Sequence, residues 1–227
     1  MPPTAAAGMN RRAFLHLSAA TAVMAAVGPT RAVAAPDTQP VPLPPPQLDG
    51  GRPLMQVVQA RRSARAFAPK TLPPQVLGNL LWAGCGVNRP DSGGRTAATA
   101  SNSQDMDIYV ATADGLFLYD AKSHALQPIL GEDIRALAGR QAYVKEAPVN
   151  LIYVSDLAKM KAAPEDREMY AAAHTGFISQ NVYLYCASEG LATVVRASID
   201  RPALAQKMGL RSTQKVILAQ SVGYPKT

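Results

Sequence analysis

The stretch Arg61-Arg62-Ser63-Ala64-Arg65-Ala66-Phe67 places three guanidinium groups and one hydroxyl within five consecutive positions. A planar guanidinium binds two phosphate oxygens at once and keeps its charge at any physiological pH. A helix is predicted over residues 54–62, because Leu54, Val57 and Val58 share one stripe at helical spacing. Two interpretations are open: the arginines bind a phosphate group, or they only complement the negative end of that helix's dipole.

Other stretches accompany this motif in order along the chain. They are Leu80-Leu81-Trp82-Ala83-Gly84-Cys85-Gly86-Val87-Asn88-Arg89-Pro90, Gly94-Arg95-Thr96-Ala97-Ala98-Thr99-Ala100-Ser101-Asn102-Ser103-Gln104, and the C-terminal run from Asp200 to Pro225. Together they resemble the FMN-dependent nitroreductase family, in particular its SagB-type dehydrogenase branch. The resemblance covers residues 54–225, and the agreement of several ordered motifs favours the phosphate interpretation.

The resemblance implies a homodimeric oxidoreductase that binds FMN and transfers a hydride through flavin N5, to or from a small organic substrate. The cofactor-binding residues that it implies are Arg61, Ser63 and Arg65 on the phosphate, Ser101, Asn102 and Ser103 beside the ring and ribityl chain, and Val195, Arg196, Ala197 and Ser198 in a loop whose backbone N–H groups approach N5 and O4. Family members often carry a proline where Ala98 or Ala100 stands, which leaves the shape of the middle loop open.

The sequence indicates no catalytic acid or base. His174 and Glu189 lie on or beside the longest predicted helix, where a hydrogen-bonded structural role is the ordinary one. Lys215 or Lys226 is a candidate for a second cation on the phosphate. Because a flavin performs the hydride chemistry itself, the lack of an acid or base is compatible with an enzyme. An exported flavin- or ligand-binding module without turnover remains the alternative, and the electron donor or acceptor is unknown.

The spacing of apolar residues, prolines and glycines predicts a mixture of helices and strands. Helices are expected over residues 54–62, 73–86, 132–137, 165–189 and 200–209, and strands over residues 107–112, 116–119, 149–154, 191–195 and 215–222. The mixture has no strict β-α-β rhythm, so an α+β fold is favoured, to which the resemblance adds a central, mainly antiparallel sheet flanked by helices. Phe177 to Ala187 is apolar on nearly every face, and is expected to lie in a large core or against a second subunit.

The N-terminus has the pattern of a twin-arginine export signal, Asn10-Arg11-Arg12-Ala13-Phe14-Leu15. An apolar stretch from Ala13 to Val27 follows, and Ala32-Val33-Ala34 is a small-residue cleavage site. A membrane anchor is disfavoured, because the stretch contains His16 and falls short of the roughly 20 apolar residues that span a bilayer. The chain therefore divides into a signal peptide (1–35), a proline-rich linker or arm (36–53) and a flavin domain (54–227). The mature protein is expected in the periplasm, without stable membrane insertion.

The composition narrows the classes of partner. The whole chain carries a formal charge of +7, of which Arg11, Arg12 and Arg31 belong to the predicted signal. No run of basic residues alternates with aromatic ones, so nucleic acid is not an expected partner. Two cysteines and three scattered histidines lack the spacing of metal ligands. Cys85 and Cys186 are either paired, as the periplasm permits, or free and buried as small apolar residues.

Overall fold

The computed structural model describes residues 39–226, and the predicted signal peptide lies outside them. The strands are β1 Val41–Pro42, β2 Val87–Arg89, β3 Gly94–Arg95, β4 Met106–Thr112, β5 Gly115–Asp120, β6 Ala125–Leu130, β7 Val149–Asp156, β8 Ala192–Arg196 and β9 Gln214–Gly223. The α-helices are α1 Leu54–Ala60, α2 Pro74–Cys85, α3 Tyr143–Glu146, α4 Arg167–Ser188 and α5 Arg201–Met208.

A seven-stranded sheet organises the described residues, in the order β1-β6-β5-β4-β7-β9-β8. Each neighbouring pair of strands in it is antiparallel. The strands β2 and β3 form a separate small hairpin. The predicted α+β fold with a mainly antiparallel sheet is therefore confirmed. Since β8 is the last strand of the order, one of its backbone edges is not covered by another strand.

Helices cover both faces of the sheet and create two apolar cores. The core on the side of α2 and α4 includes Leu80, Leu81, Ile108, Leu151 and Ile178. The core on the side of α3 and α5 includes Leu116, Ile152, Val154, Leu204 and Met208. Strand β7 lies between them, and all eight of its residues are buried. Removing one such leucine or isoleucine side chain from water stabilises the fold by about 1.5–3 kcal/mol.

The ends of the helices follow local sequence signals. Pro73 and Pro74 begin α2, and Gly86 ends it. At the start of α5, the carboxylate of Asp200 accepts a hydrogen bond from the Ala203 N–H at 3.2 Å. Gly209 ends the same helix in the left-handed conformation, with φ of 66°. These boundaries agree with the predicted ones to within one or two residues.

Other elements differ from the predictions. The helix predicted for residues 132–137 is instead a single 3-10 turn, Arg135–Ala138. The strands β1 and β6, the hairpin of β2 and β3, and the short helix α3 were not predicted. Strand β6 contains Pro128, which cannot donate a backbone hydrogen bond and so argues against a strand in the sequence.

The proline-rich segment before α1 packs on the domain. Val41 and Pro42 pair with β6 at the far edge of the sheet, and Leu43 is buried. Further along, the Gln75 side chain donates to the Pro45 carbonyl at 2.9 Å, and the Asn79 side chain accepts from the Gln47 N–H at 3.0 Å. Residues 41–47 are thus held by α2 and β6.

Both cysteines are free and buried. Burial raises the pKa of the Cys85 thiol to about 11, and burial raises that of Cys186 as well. In the described part of the chain, no three His, Cys, Asp or Glu side chains cluster as a metal site would require. No helix within residues 39–226 combines the length and apolar content needed to cross a bilayer.

Candidate functional site

The basic motif lies along the edge of β8 that no other strand among residues 39–226 covers. The Ala64 N–H donates to the Thr193 carbonyl at 2.9 Å. Three residues later, Phe67 forms an antiparallel bridge with Pro225, just after β9 ends. Two of the three predicted groups of site residues, 61–65 and 195–198, are therefore neighbours in the fold.

Tyr183 of α4 connects these two groups. Its phenol oxygen lies 2.8 Å from Oγ of Ser63 and accepts a hydrogen bond from the Val195 N–H at 2.9 Å. The guanidinium of Arg61 lies over the Tyr183 ring, 5.2 Å from the ring centroid. One buried side chain thus fixes the distance between the basic motif and the end of β8.

The arginines of the motif have no anionic partner in the described part of the chain. Arg61, Arg62 and Arg65 form no salt bridge with any Asp or Glu among residues 39–226. A cavity of about 280 Å³ beside the motif is lined by Arg52 and Arg62, together with Tyr183. Arg62, which the resemblance left outside the site, therefore lines this cavity, and the site contains more unpaired positive charge than predicted.

The predicted loop after the long helix begins at the end of β8. The Val195 N–H is already bonded to Tyr183. The Arg196 side chain enters the protein interior, with 7% of its surface exposed, so it does not face the motif. Ala197 and Ser198 are exposed, and their backbone N–H groups have no acceptor among the described residues. These two N–H groups are the available donors at this end of the sheet.

The third predicted group, Ser101 to Ser103, lies in a turn with an uncommon backbone. Ser101 and Asn102 adopt positive φ angles of 52° and 50°, and Gln104 does so at 44°. Such angles are uncommon for residues other than glycine and require support from neighbouring groups. Ser103 supplies part of that support by donating from Oγ to Asp105 at 2.8 Å.

His174 of α4 supplies the rest. Its Nε2 accepts a hydrogen bond from the Ala100 N–H at 2.8 Å, so this nitrogen carries no proton. Its Nδ1 then donates to Oδ1 of Asp105, also at 2.8 Å. Asp105 is fully buried and accepts a further bond from the Ser155 hydroxyl at 2.7 Å. His174 is therefore a structural residue that holds the turn of residues 100–104, in line with the ordinary role expected of it.

The turn of residues 101–103 lies on the opposite side of α4 from the motif. His174, which holds the turn, and Tyr183, which holds the motif, are nine positions apart on this helix. At 3.6 residues per turn this is two and a half turns, which places them on opposite faces and about 13 Å apart along the axis. One subunit therefore does not bring Ser101–Ser103 to the motif.

The two candidate lysines occupy different places. The ammonium group of Lys215 pairs with Glu168 near the start of α4, at the end of β9 that is remote from the motif. The Lys226 N–H donates to the Ala66 carbonyl at 3.2 Å, which puts this residue beside the motif. Only Lys226 is therefore placed to add charge near the arginines.

An apolar surface on α1 and α4 remains uncovered. On α1, Leu54 is 64% exposed and Met55 is 77% exposed, and of the predicted stripe Leu54, Val57 and Val58 only Val57 is buried. On α4, Met169 is 57% exposed and Phe177 is 51% exposed. Large apolar residues left exposed on two helices that pack together are a feature of protein–protein interfaces.

Residues 58–224 match the sequence profile of the nitroreductase family. This chain belongs to that family. A nitroreductase-like protein of Methanocaldococcus jannaschii is 31% identical over 152 residues, covering 62% of this chain and 76% of its own length. The crystal structure of a nitroreductase-like protein from Ralstonia eutropha superimposes with a TM-score of 0.81 at 38% identity, covering 86% of this chain and 93% of that one.

A nitroreductase-family structure from Desulfovibrio desulfuricans, solved in complex with FMN, has the same fold. Its TM-score is 0.58 at 20% identity, over 78% of this chain and 89% of that chain. At this identity the likeness concerns the fold alone.

Two residues beside the motif were not recognised from the sequence. Tyr183 lies on an apolar helix, where a tyrosine is ordinarily a core residue. Arg52 lies in the proline-rich segment before α1, apart from the motif in sequence. The chemical type of Tyr183 is the signal that could have found it, since a buried hydroxyl needs a polar partner.

Proposed function

We propose that this chain is an FMN-dependent oxidoreductase that transfers a hydride through flavin N5, to or from a small organic substrate. The observation that carries the proposal is the position of the unpaired arginines of residues 61–65 along the edge of β8, beside peptide N–H groups that lack acceptors in the described part of the chain. Bound FMN would supply the hydride chemistry, and the protein would bind and orient it. Membership of the nitroreductase family and the FMN in the Desulfovibrio relative support this assignment.

The FMN phosphate fits the cationic end of α1. Arg61 and Arg65 would bind its oxygens through charge-assisted bonds, each of which contributes about 1.5–3 kcal/mol. The Ser63 hydroxyl can donate to the same group while its oxygen stays near Tyr183. Arg62 and Lys226 would add longer-range attraction. Because these cations have no carboxylate partner among residues 39–226, no existing ion pair must break on binding.

The flavin ring would meet the backbone N–H groups of Ala197 and Ser198. Peptide donors held at the end of a strand are fixed before the ligand arrives, so they stabilise developing charge without reorganisation. Tyr183 sets their distance from the phosphate-binding arginines through its bonds to Ser63 and Val195.

A second subunit would complete the site. The apolar surface of α1 and α4, with Leu54, Met55, Met169 and Phe177 exposed, is the surface that we assign to a homodimer interface. The turn of residues 101–103 lies on the opposite side of α4 from the motif of its own subunit. In a two-fold dimer formed through α4, this turn would reach the motif of the other subunit. The flavin would then lie where the subunits meet.

Within the family we favour the SagB-type dehydrogenase branch, on the resemblance of residues 80–104 to it. The protein would contribute to catalysis by positioning the substrate and the flavin. His174 is already bonded at both ring nitrogens and so offers no free acid or base. The substrate would be a small organic molecule that lies over the flavin ring.

We further propose that the protein is exported to the periplasm by the twin-arginine route, on the pattern of residues 10–15 and 32–34. Folded proteins can use this route with their cofactor already bound, as the resemblance to such signals implies. The electron donor or acceptor would then be the substrate, a quinone, oxygen, a redox protein or a membrane-linked donor.

Turnover distinguishes this enzyme from a flavin-binding module. The bound flavin is reduced anaerobically with dithionite and then mixed with a quinone or a nitroaromatic compound, while its absorbance is followed. An enzyme is expected to reoxidise rapidly, with a rate that depends on acceptor concentration. Flavin that stays reduced in the presence of every such acceptor would support the binding module instead.

A further inference from the structure

The side chain of Arg196 is buried in a polar cluster behind the proposed flavin loop. Its Nη1 donates to Oγ of Ser221 at 2.8 Å. Its Nη2 donates to Oδ1 of Asn150 at 2.8 Å and to the Ala138 carbonyl at 3.0 Å. Each of these acceptors is formally neutral, so the cluster solvates the guanidinium without neutralising it.

The charge of Arg196 has no counter-charge nearby in the described residues. No Asp or Glu among residues 39–226 forms a salt bridge with it. Its Nε is buried without a hydrogen-bond partner in the same part of the chain. Burial lowers the pKa of this guanidinium to about 10, partly opposed by the phenols of Tyr143 and Tyr153, so the group stays charged at neutral pH. Burying a charge without a counter-charge costs free energy of folding. This cost is offset if an anion lies near Arg196 in the functional state of the protein.

The surrounding backbone is built around this side chain. A Cβ atom at Gly139 would lie 2.4 Å from the Arg196 Nε, so only glycine leaves room for the guanidinium. The next residue, Arg140, donates its N–H to the Ser198 carbonyl at 3.1 Å. Residues 138–140 therefore connect the guanidinium to the turn that carries the Ala197 and Ser198 N–H groups.

We propose that Arg196 is a positioning residue of the flavin site, which orients the Ala197–Ser198 turn and supplies a fixed positive charge that favours the reduced state of bound FMN. The inference rests on the proposed function. Reduction adds negative charge to the flavin, and a cation in a poorly solvated interior acts over a longer range than one in water. Ala197 and Ser198, which carry the proposed ring donors, directly follow Arg196 in the chain. The guanidinium charge therefore lies on the interior side of these donors.

The test is the midpoint potential of FMN bound to the full chain. Arg196→Gln is expected to lower that potential by about 30 mV, which corresponds to a tenfold loss of preference for the reduced over the oxidised cofactor in a two-electron couple. Arg196→Lys keeps the charge, and is expected to lower the potential by less than half as much. Lys145→Gln removes an exposed charge from α3, and is expected to leave the potential unchanged because solvent screens it.

Asn150→Asp tests the effect of the charge without removing the Arg196 side chain. This change is nearly isosteric and places a carboxylate beside the intact guanidinium, so it is expected to lower the potential in the same direction as Arg196→Gln. It also removes the bond that the Asn150 side chain donates to the Val144 carbonyl, so denaturant unfolding is used to check that each variant is folded. The inference would be overturned if Arg196→Gln and Arg196→Lys shifted the potential equally. It would also be overturned if neither Arg196→Gln nor Asn150→Asp changed the potential. In both cases the proposed function would stand. A wild-type chain that binds no FMN would overturn the inference and the proposed function together.

Discussion

The phenol oxygen of Tyr183 lies 2.8 Å from Oγ of Ser63, so a hydrogen bond joins the longest helix to the basic motif. The same oxygen accepts from the Val195 N–H at 2.9 Å, which brings the end of β8 into the contact. Two segments that are more than 100 residues apart in sequence are thereby held at a fixed separation. That separation sets the distance between the proposed phosphate-binding motif and the proposed ring donors.

Tyr183→Phe is expected to weaken both the fold and the cofactor site. The change leaves the Val195 N–H without its acceptor, which costs about 1–3 kcal/mol. FMN affinity is expected to fall about tenfold, equivalent to 1.4 kcal/mol. Denaturant unfolding and a fluorescence titration with FMN measure the two effects. Tyr185→Phe is the matched control, because its hydroxyl bonds to the Val76 carbonyl at 3.4 Å and to the Asn79 side chain, and not to the motif or to β8. Equal losses in the two variants would show that Tyr183 has no special role.

Phe177→Glu is expected to convert a dimer into a monomer that has lost its flavin. The substitution places a charge in the apolar surface of α1 and α4, where Phe177 is 51% exposed. Light scattering and the flavin absorbance of the same sample report the two outcomes. Leu137→Glu is the control, since Leu137 is 40% exposed on the other side of the sheet. A Phe177→Glu dimer with full flavin content would place the interface elsewhere.

The stability of the fold is expected to decrease above pH 9. Burial raises the pKa of Cys85 from 9.0 to about 11, so in this range the thiol ionises in the unfolded chain but not in the folded one. A pKa that is higher in the folded state gives stability that is complete below the unfolded value and is lost as the pH rises. The loss from this thiol is about 1 kcal/mol at pH 10. Urea unfolding of wild type and Cys85→Ala at pH 8 and pH 10 measures it, and a loss of equal size in the variant would contradict the assignment to Cys85.

Nicotinamide coenzymes are expected to be poor reductants of the bound flavin. The chain has no dinucleotide-binding fingerprint in its sequence, and export would separate it from the cytoplasmic coenzyme pool. Stopped-flow reduction by NADPH and by NADH should be slow and should not saturate at physiological concentrations. Rapid, saturable reduction by either coenzyme would favour an ordinary nitroreductase and argue against the proposed electron donors.

Much of the fold could be predicted where local signals coincide with element boundaries. The prolines before α2 and the pair of Asp200 and Gly209 around α5 mark ends that depend only on nearby backbone. Strand β6 escaped prediction because Pro128 contradicts its local pattern, and pairing with β5 and β1 makes it a strand. Tertiary context decides such segments, and it is not present in a short window of sequence.

The site could be predicted only in part, for a similar reason. The resemblance gave the motif around Ser63 and the loop after β8, which prove to be neighbours. It did not indicate that the Arg196 side chain turns inward, because its partners Asn150 and Ser221 are far away in sequence. Nor did it indicate that the turn at Ser101 lies across α4 from the motif, since the side of a helix that a loop contacts depends on the packed fold.

The absorbance spectrum of the purified full chain tests the central claim most directly. We expect a yellow protein that releases FMN on denaturation. We expect Arg65→Glu to be colourless, because one phosphate-binding cation becomes a repelling anion and several kcal/mol of binding are lost. Lys122→Glu, which reverses an exposed charge in the turn before β6, should keep its colour. A colourless wild-type protein that cannot be reconstituted with FMN would contradict the assignment of this site to a flavin.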